Sequence, residues 1–222
     1  MKCHPQALAE HVHPSVRFLA LTELLERPLD DQEVQTARAE IPEIPPVRSI
    51  LDAQYPAGYW MHTGLGIAPH YRATVWQVLF LAQFGVGRIP QVERAVEALL
   101  AYNPGANGAF RVHRQRGGSS PELTGALLWA LARLGFVNDP QLEATWSWLY
   151  ARREILTENP AAAVWVLRAA AAWDRAEMLD IAIAAVTRAL QIASGALMNR
   201  FTFPLVDWPD RLAGLEALTE AG

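Results

Sequence analysis

Apolar residues recur at three- and four-residue spacing along most of this chain, in segments separated by proline, glycine and polar clusters. That is the period of helices with a buried face. Proline stands where a first helical residue belongs in His13-Pro14, Ser120-Pro121, Asp139-Pro140 and Asn159-Pro160, and Ser120, Asp139 and Asn159 are good N-cap residues. Gly85, Gly135 and Gly195 follow apolar segments, where a left-handed residue closes a helix. These marks predict helices over 14–27, 31–41, 46–54, 70–84, 90–102, 121–134, 140–153, 160–173, 176–194 and 209–221. Period-two alternation is nearly absent. The expected class is all-α.

The pattern also repeats. Thr74 matches Thr124, Gly85 matches Gly135, Pro90 matches Pro140, Gln91 matches Gln141, Glu93 matches Glu143 and Leu99 matches Leu149, each pair 50 residues apart without a gap. Within a unit, the first helix (74–82, or 123–134) is apolar on most faces, as a buried inner helix should be. The second carries Glu93, Arg94 and Glu97, or Glu143, Arg152 and Arg153, and suits an outer layer. Residues 18–41 read as an earlier, diverged unit whose second helix opens at Asp30-Asp31-Gln32-Glu33-Val34, and 159–194 as a shorter later one. Leu215 to Gly222 echoes Leu128 to Gly135. We expect one domain over 1–222, with a diverged helix pair in 1–45 and the repeats in 46–222.

Inner and outer helices alternating in this way suit an open solenoid or a closed ring. Gln54-Tyr55-Pro56-Ala57-Gly58-Tyr59-Trp60 resembles the glutamine-to-tryptophan repeat of squalene and oxidosqualene cyclases, and Asn107-Gly108-Ala109-Phe110 is a weaker copy with Phe110 in the tryptophan place. Tyr71-Arg72-Ala73-Thr74-Val75-Trp76 is similar to the segment that opens an inner helix in bacterial prenyltransferase-like or squalene-cyclase-like proteins, and Thr124-Gly125-Ala126-Leu127-Leu128 takes the matching place one unit on. The resemblance covers about 50–149 and implies an α/α toroid of the terpenoid cyclase and protein prenyltransferase superfamily. A full toroid of that kind has six inner and six outer helices and is generally longer. An incomplete ring is therefore expected, its apolar edge covered by a second copy in a homodimer.

Composition narrows the partners. A chain of 222 residues with 51% hydrophobic and 19% charged content can bury a large core, and its net charge of −4 gives no general attraction to nucleic acid. Cys3 is the only cysteine, which excludes an internal disulfide and a thiolate-rich metal site. The apolar run at 161–173 contains Arg168 and is too short to span a bilayer, and the N-terminus lacks a signal-peptide pattern. A cytoplasmic location, no nucleic-acid partner, no membrane span and no cofactor are the expectations.

The residues lack the catalytic signatures of the enzymes the chain resembles. The Asp-x-Asp-Asp acid of class II cyclases is absent; Asp207-Trp208-Pro209-Asp210 is the nearest arrangement, and Asp207 reads better as a helix cap. Asp30-Asp31-Gln32-Glu33-Val34 fails as a magnesium-diphosphate motif and suits a capped helix start. Cys3 lies outside the repeats, so the prenyltransferase zinc set fails, and His4, His11 and His13 match no metal spacing. Glu122 and Asp210 are the only carboxylates imagined for a glycosidase-like pair, and nothing selects them. No catalytic residue is assigned, and whether the chain is an enzyme stays open.

A ligand site is easier to place. Arg111, His113, Arg114 and Arg116 lead into the inner helix at Pro121, where arginines beside free helix N–H groups suit phosphate or carboxylate. The equivalent earlier loop carries Tyr59, Trp60, His62, His70, Tyr71 and Arg72. Trp76 and Trp129 sit on inner helices, either lining a cavity or packing the core. If the two loops meet at one end of the ring, they place cations beside a central apolar cavity fit for an isoprenoid, a polycyclic lipid or a diphosphate-bearing molecule. The alternative is a non-enzymatic helical scaffold that binds protein, in which the Gln54-to-Trp60 loop is structural glue and the basic loop a solvated one.

Overall fold

Most of the helices begin at a proline or under a side chain that accepts from the N–H groups of the first turn. The computed structural model describes residues 4–62, 67–102, 108–111, 118–137, 139–192 and 211–221. Among these the α-helices are α1 (Pro5–Ala9), α2 (Pro14–Leu19), α3 (Gln32–Glu40), α4 (Pro45–Asp52), α5 (Thr74–Gln83), α6 (Pro90–Tyr102), α7 (Pro121–Arg133), α8 (Glu143–Tyr150), α9 (Pro160–Ala172), α10 (Ala176–Ile192) and α11 (Arg211–Glu220). A π-helical turn, Ala20–Leu24, continues α2, and no strand occurs among the described residues beyond one isolated antiparallel bridge, Arg111 to Ser119. Asp31 accepts from the N–H of Glu33 and Val34, Ser120 from Leu123, Asp139 from Gln141 and Asn159 from Ala162. Each such cap is worth about 1 kcal/mol. Gly195, Asp207 and Asp210 lie outside the described residues.

Burial separates two layers. On α7 every residue from Leu123 to Leu131 is buried, and on α9 every residue from Ala162 to Ala170. α5 packs on α7, α7 on α9, and α9 on α11, so these four form a continuous inner row. On α10 the buried apolar positions Met178, Ala182, Ala185 and Val186 make a single stripe, as expected of a helix with one solvated face.

The 50-residue register extends to three dimensions. Gly58 and Gly108 both adopt positive φ, and a Cβ on them would overlap the Arg94 carbonyl oxygen at 2.1 Å and the Ala144 carbonyl at about 2.7 Å. Arg94 and Ala144 are themselves one repeat apart. The inner helices end alike too: Gly85 N–H donates to Ala82 and Val86 N–H to Leu81, and Gly135 and Phe136 repeat this on Ala132 and Leu131. The later unit makes the same pair of bonds, Asp174 to Ala171 and Arg175 to Ala170, with Asp174 instead of glycine in the left-handed position.

Two expectations about element boundaries are corrected. No helix is expected before residue 14, but α1 forms at Pro5, with His4 as its extended cap residue and a proline fixing the first φ. The inner helix expected at 70–84 begins only at Thr74, because Tyr71 has φ +62° and turns the chain out of helical geometry.

Candidate functional site

The Gln54-to-Trp60 loop is fastened at both ends. Gln54 Nε2 donates to the Gly58 carbonyl at 3.1 Å and to the Gln91 carbonyl, at the start of α6, at 2.9 Å. Trp60 Nε1 donates to the Ile50 carbonyl in the last turn of α4 at 2.7 Å, and its backbone N–H donates to Thr74 Oγ1 at 3.0 Å. The motif thus ties α4 and α6 through backbone oxygens and α5 through the Thr74 hydroxyl.

A second set of bonds fixes the segment before α5. Gln77, a buried polar residue in an apolar helix, donates Nε2–H to the Tyr71 carbonyl at 2.7 Å, and Trp76 Nε1 donates to the Ile67 carbonyl at 2.7 Å. The rings of His70 and Tyr71 lie over Trp76 at 5.3 and 5.0 Å, and Tyr55 stacks on Tyr59 at 5.1 Å. Between the two fastened segments lies a groove of about 410 Å³, lined by Tyr55, Trp60, Met61, Tyr71, Arg72 and Gln77 among others. Tyr71 is 48% exposed and Tyr55 49%, and Arg72 is exposed with no ion pair or hydrogen bond of its side chain among the described residues. The groove combines aromatic surface with one permanent cation. Its lining contains no Asp, Glu, His or Cys, so the described residues offer no side chain there to trade protons near neutral pH.

The expected site residues therefore divide. Trp60, Tyr71 and Arg72 line the groove, and Tyr59 and His70 stand beside it. His62 is exposed and outside the lining. Arg111 is half-buried and pairs its backbone with Ser119, while His113, Arg114 and Arg116 lie outside the described residues, as does any meeting of the two loops.

Trp76 and Trp129 are both buried among other side chains. Trp76 is 1% exposed beneath His70 and Tyr71. Trp129 packs at 5.5 Å against Trp165, and the Arg168 guanidinium sits 4.8 Å from its ring centroid. Arg168, almost buried, makes two bonds to Glu220 of α11, at 2.7 and 3.0 Å. Trp76 thus packs with His70 and Tyr71, and Trp129 with Trp165 and Arg168, as the core-packing alternative expects.

Two of the carboxylates weighed for catalysis, Asp31 and Glu122, have structural partners. Asp31 caps α3. Burial pushes the Glu122 carboxyl up, but hydrogen bonds from Ser120 and Asn159 outweigh it and hold the group below its ordinary value, which suits a fixed anion and not a proton donor. Among the described residues no three His, Cys, Asp or Glu side chains converge as a metal site, and no helix is long and apolar enough to cross a membrane.

Sequence reasoning missed Tyr55 and Gln77 as groove residues and Arg168 as the inner cation. Gln77 and Arg168 carried a signal: each is a polar interruption of an otherwise apolar inner helix. No family model, curated protein or solved structure matches the chain. What the site does must therefore come from its own residues.

Proposed function

We propose that this chain is a squalene-cyclase- and prenyltransferase-like α/α-toroid protein that binds an amphiphile without cyclising it. The ligand has an apolar, isoprenoid-like tail and an anionic head such as a diphosphate. The observation that carries the reading is the groove beside α5, where exposed tyrosines meet Arg72, whose side chain has no ion pair among the described residues, and where the described lining holds no acid. The tail lies on Tyr55 and Tyr71, and the head takes charge-assisted bonds from Arg72. The resemblance supplies the ligand class; the groove supplies the fit.

Calorimetric titration with farnesyl diphosphate, farnesol and inorganic pyrophosphate tests it. Farnesyl diphosphate is expected to bind tightest, and Arg72→Ala to weaken it by about tenfold while leaving farnesol unchanged. Heat from none of the three, or an unchanged affinity in Arg72→Ala, contradicts the reading.

A second reading, a helical-repeat scaffold without a small ligand, is favoured by the packed state of Trp76, Trp129 and Trp165. Absence of binding by all three compounds is the outcome it expects.

A further inference from the structure

The inner helix α5 starts one turn later than its counterpart in the next repeat unit. Thr74 corresponds to Thr124, yet α5 begins at Thr74 while α7 begins at Pro121, the counterpart of Tyr71. Where the second unit is already helical, the first makes a left-handed turn at Tyr71.

Two consecutive side chains of α5 hold that turn. Trp76 Nε1 donates to the Ile67 carbonyl and Gln77 Nε2 to the Tyr71 carbonyl, each at 2.7 Å. Their counterparts one unit on, Ala126 and Leu127, are fully buried and have no side-chain donor. The two helices otherwise agree: Thr74 and Thr124 receive the incoming loop, and both helices end in the same pair of backbone bonds. The packing of an inner helix therefore does not require an amide at this position. Gln77 is only 7% exposed, and its desolvation is offset by the bond to Tyr71.

What the turn provides is the groove. Tyr71 (φ +62°) and Met61 (φ +66°) both line it, each in a conformation that a residue with a Cβ adopts only under constraint. The Tyr71 ring stands edge-on to Trp76 at 5.0 Å with half its surface open, and Arg72 follows it. In the second unit the place of Arg72 is taken by Glu122, whose carboxylate is bonded to Ser120 and Asn159. The tyrosine and the cation of the groove thus have no counterpart one unit on.

We infer that Gln77 is a positioning residue for the ligand of this groove. By holding the Tyr71 carbonyl it keeps the segment before α5 out of the helix and sets Tyr71 and Arg72 where an amphiphilic anion meets them. The inference rests on the amphiphile reading given above. Gln77 acts through Tyr71, so its removal should first be felt at that ring.

Fluorine NMR of protein labelled with fluorotyrosine reports on Tyr71 with no ligand present, its signal being the one lost in Tyr71→Phe. In the wild type that signal is expected to be displaced by the Trp76 ring, and in Gln77→Leu to move toward the position of free fluorotyrosine. Leu127 shows that an inner helix accepts leucine there; Gln77→Met, similar in length and without a donor, repeats the test if Gln77→Leu is unfolded by circular dichroism. Calorimetry with farnesyl diphosphate is expected to show binding weakened about tenfold in Gln77→Leu. Tyr71→Ala alone should weaken it by a similar factor, but by less than about twofold in the Gln77→Leu background. A Tyr71 signal that neither substitution moves would overturn the inference, as would undiminished binding in Gln77→Leu or fully additive losses with Tyr71→Ala. Wild-type protein that binds no farnesyl diphosphate removes the amphiphile reading and this inference together. Wild-type binding that Gln77→Leu leaves unchanged removes this inference alone.

Discussion

The backbone N–H of Trp60 donates to Thr74 Oγ1 at 3.0 Å, and the same hydroxyl donates back to the Trp60 carbonyl at 3.3 Å. Fifty residues on, Phe110 N–H donates to Thr124 Oγ1 at 3.3 Å. One threonine at the head of an inner helix thus holds the incoming loop in each unit, and in the first it satisfies two buried backbone groups. Thr74→Val is expected to cost about 2 kcal/mol and Thr124→Val about 1 kcal/mol, with Thr74→Ser near wild type, measured by urea unfolding. Equal losses at the two threonines would count against the distinction.

Gly85 and Gly135 share a left-handed conformation but not an environment. A Cβ on Gly85 would lie 2.5 Å from the Phe18 ring, whereas one on Gly135 meets only Arg88 Cβ at 3.8 Å. Gly135→Ala should cost roughly 1 kcal/mol from backbone strain, and Gly85→Ala about 1–3 kcal/mol more from the overlap. Thermal denaturation of both variants orders them.

Glu122 contributes a pH-dependent increment. Its folded pKa lies below the ordinary value, so its stabilisation is complete above that value and is lost as pH falls through the lowered one. Glu122→Gln should be about 1 kcal/mol less stable than wild type at neutral pH, allowing for its partial exposure, with the gap closing in acid. A gap that stays constant from neutral pH to pH ~3 would show that the charge plays no part.

The Arg168–Glu220 pair joins α9 to α11 inside an aromatic layer. The Arg168 side chain is 10% exposed and that of Glu220 33%, so losing the carboxylate strands a buried cation, while losing the guanidinium leaves an anion that can reach water. Glu220→Leu is expected to cost about 2 kcal/mol, more than Arg168→Met, and the double variant Arg168→Met, Glu220→Leu to recover most of it. Chemical denaturation of the three variants forms the cycle.

Much of this architecture was written in local chemistry. Ser120, Asp139 and Asn159 cap helices because each places a side-chain oxygen one residue before a proline-started turn, and the 50-residue register is matched by equivalent contacts at Gly58 and Gly108. The Gln54-to-Trp60 loop likewise follows from groups that recognise backbone within reach. The groove was less legible. Tyr71 takes a positive φ through tertiary constraint, including the bond from Gln77, and spacing alone does not foretell that an exposed tyrosine results. Helical period also places Trp76 and Trp129 in the inner layer without saying whether they face a void or one another. In the fold Trp129 meets Trp165 and Arg168.

The central claim is that an amphiphilic anion binds beside α5 and not among the inner tryptophans. Photolabelling with a diazirine-bearing farnesyl diphosphate analogue, followed by peptide mapping, locates the ligand directly. The account predicts label on the segments that contain Tyr55 and Tyr71, reduced by excess farnesyl diphosphate and by Arg72→Ala. Label concentrated on the Trp129 and Trp165 helices, or none that farnesyl diphosphate competes away, would contradict it.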